Sequence, residues 1–350
     1  MDAPQASASE PLGAHAASGT RGASARPAWT QAVDPGIAAS LVLFALIACV
    51  PFLATVWGGS YLISLVTKAA VLAIAVVSLD LLIGRAGLVS FGHAAFLGLG
   101  AYVTGIGLQE GIEDAVTLLT LVVVASALFA LVTGALSLRT TGVYFIMITL
   151  AFSQMLFFGF SSLAAYGGDD GLTLWSLSTV FGTDVLQTEL GKFYVILAVL
   201  VAAWAFVNAV AASRFGRVLR AAKEAPVRVE TLGYSVYTYR LVAYVIAGVI
   251  AGIAGFLMAH HAEFVSPAIS TWQRSGDLII MVVLGGMATR TGPILGALFL
   301  VLVEEALSTL VTDWRLIFGP LLVLIVLYAR GGLARLPNVI TALRSRRASS

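Results

Sequence analysis

The sequence predicts an all-α, polytopic membrane protein of about ten transmembrane helices, some of them broken or re-entrant. Three observations carry that expectation. Of 350 residues, 59% are hydrophobic and only 11% charged, against about 25% charged in an ordinary soluble domain. Apolar runs near the length that a hydrocarbon core roughly 30 Å thick demands, about 20 residues per helix, recur along most of the chain. Glycine clusters interrupt two of those runs. Such a composition leaves no space for a sizeable soluble domain, which excludes an enzyme with its own catalytic domain. The balance of 20 basic and 18 acidic residues gives no basis for nucleic acid binding. The partners that remain are the lipid bilayer, solutes and other proteins.

Residues 1–35 are rich in Ala, Ser, Pro and Gly without an apolar period, which predicts a disordered tail. The run from Ile37 to Trp57 is too long for a secretory signal core and lacks a small-x-small cleavage site, so an anchored first helix is expected over 36–57. Cys49 lies inside it and, with no second cysteine, forms no disulfide framework. Further spans are expected near 60–84, 86–108, 115–137, 141–163, 192–212, 241–259, 277–288, 294–311 and 316–329. The run at 277–288 is short for a span, and glycine-rich stretches at 84–107 and 285–296 would interrupt any regular helix there. Irregular backbone is tolerated at membrane depth only where protein or a water-filled cavity covers its polar groups, so these stretches are expected to line a path. They fall in opposite halves of the chain. If each half is a five-span unit, the halves have opposite topology and form an inverted repeat. The domain organisation is then a transmembrane domain over 36–329 between two tails, the second a basic one over 330–350.

The loop at 213–240 carries Arg214, Arg217, Arg220, Lys223, Arg228 and Arg240 against Glu224 and Glu230. The positive-inside rule puts it in the cytoplasm. By alternation both tails, Arg85, Arg139 and Arg290 lie on that side, which leaves only Lys68, Lys192, Arg274 and Arg315 of the Lys and Arg elsewhere. The opposite side collects Glu110, Glu113, Asp114, Asp169, Asp170, Asp184 and Glu189.

No Gly-x-x-x-x-Gly-Lys-Ser/Thr phosphate loop occurs, so any ATP drive must come from a partner. His260 and His261 are adjacent and miss the i, i+4 metal spacing. No catalytic constellation is legible, and no cofactor is expected. The charges placed within spans are Lys68, Asp80, Glu304 and Glu305, each costing about 2.5–3.5 kcal/mol at mid-membrane. At 1.5 Å per residue, Lys68 lies roughly 12 Å below Ser60, and Glu304 and Glu305 about 15 Å from Ile294, depths that match in a 30 Å core. A buried pair between Lys68 and one glutamate is one reading; snorkelling to the interface is the other. In the basic loop, Val218, Leu219 and Ala222 mark one helical face that something should cover. Ala225-Pro226 restarts the chain and Gly233 ends it, which predicts two short helices joined at a proline. Such an element suits either a groove on a cytosolic protein, with Arg220, Lys223, Glu224 and Glu230 at the polar rim, or an anionic lipid surface.

Six blocks in order carry a resemblance. They are Leu81-Leu-Ile-Gly84-Arg-Ala-Gly87-Leu-Val-Ser90-Phe-Gly92-His93-Ala-Ala-Phe96, Thr141-Gly-Val-Tyr144-Phe, Gly168-Asp-Asp-Gly171-Leu, Phe215-Gly-Arg217-Val-Leu-Arg220-Ala-Ala-Lys-Glu224 through Leu232-Gly233-Tyr, Phe264-Val-Ser266-Pro267, and Met281-Val-Val-Leu-Gly285-Gly286 with Gly292-Pro293-Ile-Leu-Gly296-Ala. Over most of the chain after Leu65 the sequence resembles permease subunits of branched-chain amino acid ABC importers, of the LivM type. The resemblance implies a multi-pass subunit of the bacterial inner membrane with both termini cytoplasmic. It implies half of a pore shared with a sister permease of the LivH type, fed by a periplasmic solute-binding protein and driven by two cytosolic ABC ATPase subunits. It would make 214–233 the coupling element, with Arg217, Arg220, Lys223, Glu224, Glu230 and Gly233 serving the ATPase. Gly87, Ser90, Gly92 and His93 fall in the family's glycine-rich segment near the pathway, with Gly285 and Gly286 as counterparts; close helix packing explains the glycines equally well. Leu88 replaces a residue more often polar in the family, Arg85 is unusual between its glycines, and Tyr166-Gly167-Gly168 departs from a common Thr-Gly or Thr-Asn step. Related permeases for urea and short amides share much of the pattern. A rival reading from the residues alone is a secondary transporter coupled to protons or sodium through the intramembrane charges.

Overall fold

The computed structural model of the chain describes residues 35–57, 59–180, 182–310, 318–320, 323 and 332–333. The N-terminal tail, most of the run at 316–329 and nearly all of the tail at 330–350 lie outside the described residues. Helices α1 (Pro35–Ala48) and α2 (Val50–Trp57) make the first span. Pro51 has no N–H for the Ile47 carbonyl, and the helix is interrupted at Cys49. Helix α3 (Ser60–Asp80) continues into a π-helical stretch, Leu81–Ala86, and stops at Gly87, whose φ of +72° is a left-handed turn open to glycine. After the non-helical 87–92 come α4 (His93–Gln109), α5 (Ala115–Ser137) and α6 (Val143–Ser161). The connection to α7 (Glu189–Ala212) holds strand β1 (Leu172–Thr173). Two short helices, α8 (Arg214–Glu224) and α9 (Pro226–Thr231), lead into α10 (Val236–Ala262). Strand β2 (Phe264–Val265) pairs antiparallel with β1, Leu172 opposite Val265. A 3-10 turn (Pro267–Ser270), α11 (Trp272–Gly285) and α12 (Gly292–Leu310) follow.

Among the described residues seven helical stretches are long and apolar enough to cross a membrane: 36–54, 60–86, 115–137, 143–161, 189–212, 236–262 and 292–310. Helices α4 and α11, with 17 and 14 residues, rise only about 25 and 21 Å at 1.5 Å per residue. The span expected from residue 86 therefore starts at His93, after the break. The run expected at 277–288 is α11, which begins earlier because Gln273, Arg274 and Asp277 hide its first turns from a hydropathy reading; Arg274 and Asp277 pair at 3.7 Å. The interruption expected over 285–296 is a turn between α11 and α12. In this half the irregular segment is 263–271 instead, entered at Glu263 with φ +53°.

Two helices form the centre. Over their most apolar 18 residues, α3 with its π-turn is 78% buried and α10 is 67% buried, against 22–33% for the other membrane-length stretches among the described residues. Val71 to Val77 of α3 are buried on every side, as expected of a helix apolar all round with protein on all faces. Helix α4 meets α10 backbone to backbone: a Cβ on Gly100 would strike the Gly252 carbonyl, and one on Gly255 the Leu97 carbonyl. Lipid supplies no hydrophobic drive between helices, so close approach at small residues holds them. The end where α3 closes carries Arg85, Lys223, Arg240 and Arg290 and is the basic end; Glu110, Asp114, Glu189 and Glu263 gather at the other, acidic end.

Candidate functional site

At the basic end four elements meet around Asp80. Its Oδ1 accepts the Ala288 N–H at 2.7 Å, across from the turn between α11 and α12. Arg85 Nε lies 3.9 Å from Asp80 Oδ2, and the Arg85 guanidinium donates to Asn208 Oδ1 at 3.3 Å and to the Val207 carbonyl at 3.5 Å, both on α7. Asp80 and Arg85 are both buried, and each charge is tolerable there because the other is near. Lys223 reaches in from α8 and donates to the carbonyls of Gly84 (2.9 Å) and Ile83 (3.5 Å) in the π-turn. Those carbonyls lie at the end of a helix, where a cation meets both unpaired acceptors and the negative end of the dipole. Trp204 Nε1 adds a bond to the Arg290 carbonyl at 2.7 Å. Ala288 is held at φ +58°, an uncommon position for a residue with a Cβ.

Helices α8 and α9 are the two short helices expected, joined at Pro226 and closed by Gly233 at φ +85°. Ser213 caps α8, its hydroxyl accepting the Gly216 N–H at 3.4 Å. The apolar face of α8 is covered by this chain itself: Leu219 and Ala222 are fully buried against the bundle, and Arg240 donates to the Ala222 carbonyl at 3.2 Å. That face is covered without an outside partner. Lys223 is an exposed residue whose amino group is nonetheless drawn to the π-turn carbonyls. Arg217, Arg220, Glu224, Glu230 and Gly233 are exposed. Beside them stand Val227 and Leu232, 72% and 71% exposed, an outward apolar pair that the residue pattern did not single out.

The glycine-rich segment is packed in this chain. His93 Nε2 lies 2.7 Å from Ser78 Oγ; Ser78 is eight residues, about 12 Å, before Ala86, so α4 begins at depth. There it adjoins the start of α11: the Ala94 N–H donates to Ser275 Oγ at 3.1 Å. Phe91 N–H donates to Thr149 Oγ1 at 3.2 Å and Ser153 Oγ to the Ser270 carbonyl at 3.0 Å, which tie both starts to α6. Neighbouring hydroxyls thus serve the N–H groups that a helix start leaves open. Ser90 and His93 are fully buried; a Cβ on Gly92 would press on the Thr149 carbonyl, one on Gly285 would strike the Gly292 carbonyl, and one on Gly87 would press on the Lys223 side chain. Gly286 turns the chain at φ +111°. None of these residues lines the apolar pocket of about 440 Å³ between α3, α7 and α10, which is bounded by Ile74, Val199, Phe206, Val245 and Ile253.

The intramembrane charges part company. Asp80 is buried, whereas Lys68, Glu304 and Glu305 are half-buried. Helices α3 and α12 pack together, yet Glu305 accepts the hydroxyl of Tyr61, in the first turn of α3, and among the described residues Lys68 forms no ion pair within 4.0 Å. The depth match between Lys68 and the glutamates does not bring them together, because α12 carries Glu305 to the level of Tyr61. At the acidic end Lys192, itself buried, bonds Glu263 and lies 3.8 Å from Glu189. His260 donates from Nδ1 to the Phe256 carbonyl (2.8 Å), so its Nε2 accepts the Ser178 hydroxyl at 2.6 Å. Asp114 caps α5 by accepting the Thr117 hydroxyl (2.6 Å) and N–H (2.9 Å), which hold its carboxyl below the usual 3.8. The Tyr166 hydroxyl donates to Glu110 at 2.9 Å, which raises its pKa above the ordinary 10.0.

Over residues 61–327 the sequence matches the family described as the permease component of the branched-chain amino acid transport system. It is 27% identical over 290 residues to the high-affinity branched-chain amino acid transport system permease protein LivM of Salmonella typhimurium, covering 76% of this chain and 68% of that one. Against LivM of Escherichia coli the figures are 26% over 278 residues, 73% of this chain and 65% of the relative, so the chain spans about two thirds of these relatives. A shorter similarity, 33% over 102 residues, joins it to a probable branched-chain amino acid transport permease protein LivH of Methanocaldococcus jannaschii, with 28% of this chain and 30% of that one. No solved structure matches. With its apolar helices arranged as a multi-pass membrane bundle, the chain belongs to the family of permease components of branched-chain amino acid transport systems.

Proposed function

We propose that this chain is one permease subunit of an ABC importer in the bacterial inner membrane, forming half of the pathway for branched-chain amino acids or a chemically similar small solute. The observation that carries the reading is α8–α9: an element packed on its own bundle through Leu219, with Arg217, Arg220, Glu224, Glu230, Val227 and Leu232 all exposed. Exposed apolar side chains on the same short element as exposed charges suit a docking surface, here for a cytosolic ABC ATPase. The basic end is then cytoplasmic, together with both termini. The acidic end faces a periplasmic binding protein, and a sister permease of the LivH type completes the pore. The long buried helix, break, short helix and peripheral helix of α3–α4–α5 recur in α10–α11–α12, which supports an inverted repeat with α3 and α10 as its paired centres. Gly87, Ser90, Gly92, His93, Gly285 and Gly286 belong in this reading to the helix starts and turns that shift when the pathway opens.

Affinity purification of the chain from its native membrane, followed by an ATPase assay, tests the reading. Recovery of two ATP-binding subunits and a second permease, with hydrolysis stimulated by a loaded binding protein, is expected. A chain that comes alone and drives proton- or sodium-dependent uptake would replace the importer with a secondary transporter. Uptake of leucine compared with urea and short amides in the same membranes decides the solute.

A further inference from the structure

We propose that Lys223 and Asp80 form a rigid joint that transmits movement of α8 to the turn between α11 and α12; the inference rests on the importer reading and assigns Lys223 an inward positioning role, not contact with the ATPase. The contacts are continuous. Lys223 Nζ holds the Gly84 and Ile83 carbonyls of the π-turn. Gly84 in turn sits against both Asp80 and Ala288, so closely that a Cβ on it would press on Asp80 Oδ1 and on the Ala288 nitrogen. Asp80 Oδ1 accepts that same Ala288 N–H at 2.7 Å. Arg85, from the π-turn, anchors the joint to α7 through Asn208. The tie falls on the π-helical turn that ends α3. A displaced α8 must carry the π-turn with it, and the π-turn cannot move without Asp80 pulling on Ala288, which lies three residues past Gly285. Packed elements joined this way shift between discrete arrangements and do not bend by degrees.

The test uses the whole complex in its native membrane and reads solute imported per ATP hydrolysed, beside the amount of ATPase subunit that copurifies. Lys223→Met is expected to lower import per ATP by about tenfold, within the usual range of coupling between sites, while ATPase recovery stays at the wild-type level. Lys223→Arg, which keeps a cation, is expected to restore most of it. A second arm holds if Lys223→Met fails to accumulate in the membrane. The Cβ of a residue at Gly87 would lie 3.6 Å from that of Lys223, within disulfide range. In a Cys49→Ser, Gly87→Cys background, whose own import per ATP is the reference because Gly87 turns at φ +72°, adding Lys223→Cys should lower the ratio when reduced and regain it when oxidised, because the disulfide replaces the lysine as the tie. Loss of ATPase subunits from Lys223→Met would place Lys223 at the ATPase surface and overturn the joint. So would an unchanged ratio in Lys223→Met, or no recovery on oxidation. A wild-type chain that recovers no ATPase fails the importer reading before any variant is compared.

Discussion

Asp80 holds a backbone N–H from one half of the chain and faces a guanidinium from its own, in a site closed to solvent. Removing the acceptor leaves the Ala288 N–H and the Arg85 charge uncompensated, a loss of about 1–3 kcal/mol for the hydrogen bond alone. Asp80→Ala is therefore expected to lower the thermal stability of the detergent-solubilised protein more than Asp80→Asn, which keeps a carbonyl at Oδ1; equal melting temperatures for the two would remove the argument. Gly100 gives a second residue-scale expectation. Gly100→Ala drives a methyl into the Gly252 carbonyl, whereas the same change at Gly159 on α6 meets open space. The first should cost about 1–3 kcal/mol by overpacking, and the second should leave stability unchanged or raise it by up to about 1 kcal/mol. At Asp114 the sign of the pH effect follows from its depressed pKa. The cap contributes above the unfolded value of 3.8 and is lost as pH falls through the lower folded value, so protection of the Thr117 amide from hydrogen exchange should vanish only below 3.8. Intramembrane charge marked Asp80 in the sequence, and an unusual basic residue marked Arg85. Their partners were illegible: Ala288 bonds through its backbone N–H, and Asn208, although polar, carries nothing in sequence that names Arg85 as its partner across so much chain.

At the scale of elements, α8–α9 was legible because its signals are local: a proline that opens a helix, a glycine that ends one, and an apolar stripe at helical spacing. What covers the stripe is a tertiary fact, and the answer was the chain's own bundle. The same local logic could not find the π-turn, which has no sequence signature of its own, or the irregular 263–271, although Ser266-Pro267 stands within it. Gly233 is the element's most sensitive point, since its left-handed φ of +85° costs about 1–2 kcal/mol for a residue with a Cβ. Gly233→Val should reorient α9 against α10 and reduce uptake with membrane levels of the chain unchanged; full uptake would show that the turn's geometry does not matter to coupling. Leu232→Asp probes the outward surface separately. By placing a charge on the exposed apolar surface of the proposed docking element it should reduce copurifying ATPase, an effect that Leu219→Asp, beneath α8, would produce only together with loss of the folded element.

For the whole molecule, composition and run lengths were sufficient to read a multi-pass helical bundle, but not to rank its helices. Every span is apolar, so hydropathy cannot distinguish a helix surrounded by protein from one that faces lipid or a partner. The ranking comes from small residues that admit close approach and from where the breaks allow α4 and α11 to start inside the bundle. Helices α3 and α10 carry the packing, and α5 and α6 expose Val124, Leu128, Met147 and Phe158 along their outer faces. Opening free energy follows the number of buried contacts an element must give up. Backbone hydrogen exchange in lipid nanodiscs should therefore be slowest in the middle of α3 and α10. It should be faster toward the ends of α5 and α6 when the chain is alone. Lipid protects all spanning backbone, so the comparison is made at matched depth, Ile74 and Ile250 against Val124 and Thr149. If α6 is the face that meets the sister permease, adding that subunit should slow α6 and leave the middle of α3 unchanged, because Val71 to Val77 have no free surface left to bury. Equal slowing of both, or protection that does not distinguish the centre from the periphery, would mean that lipid and not interhelical packing sets the stability of this fold.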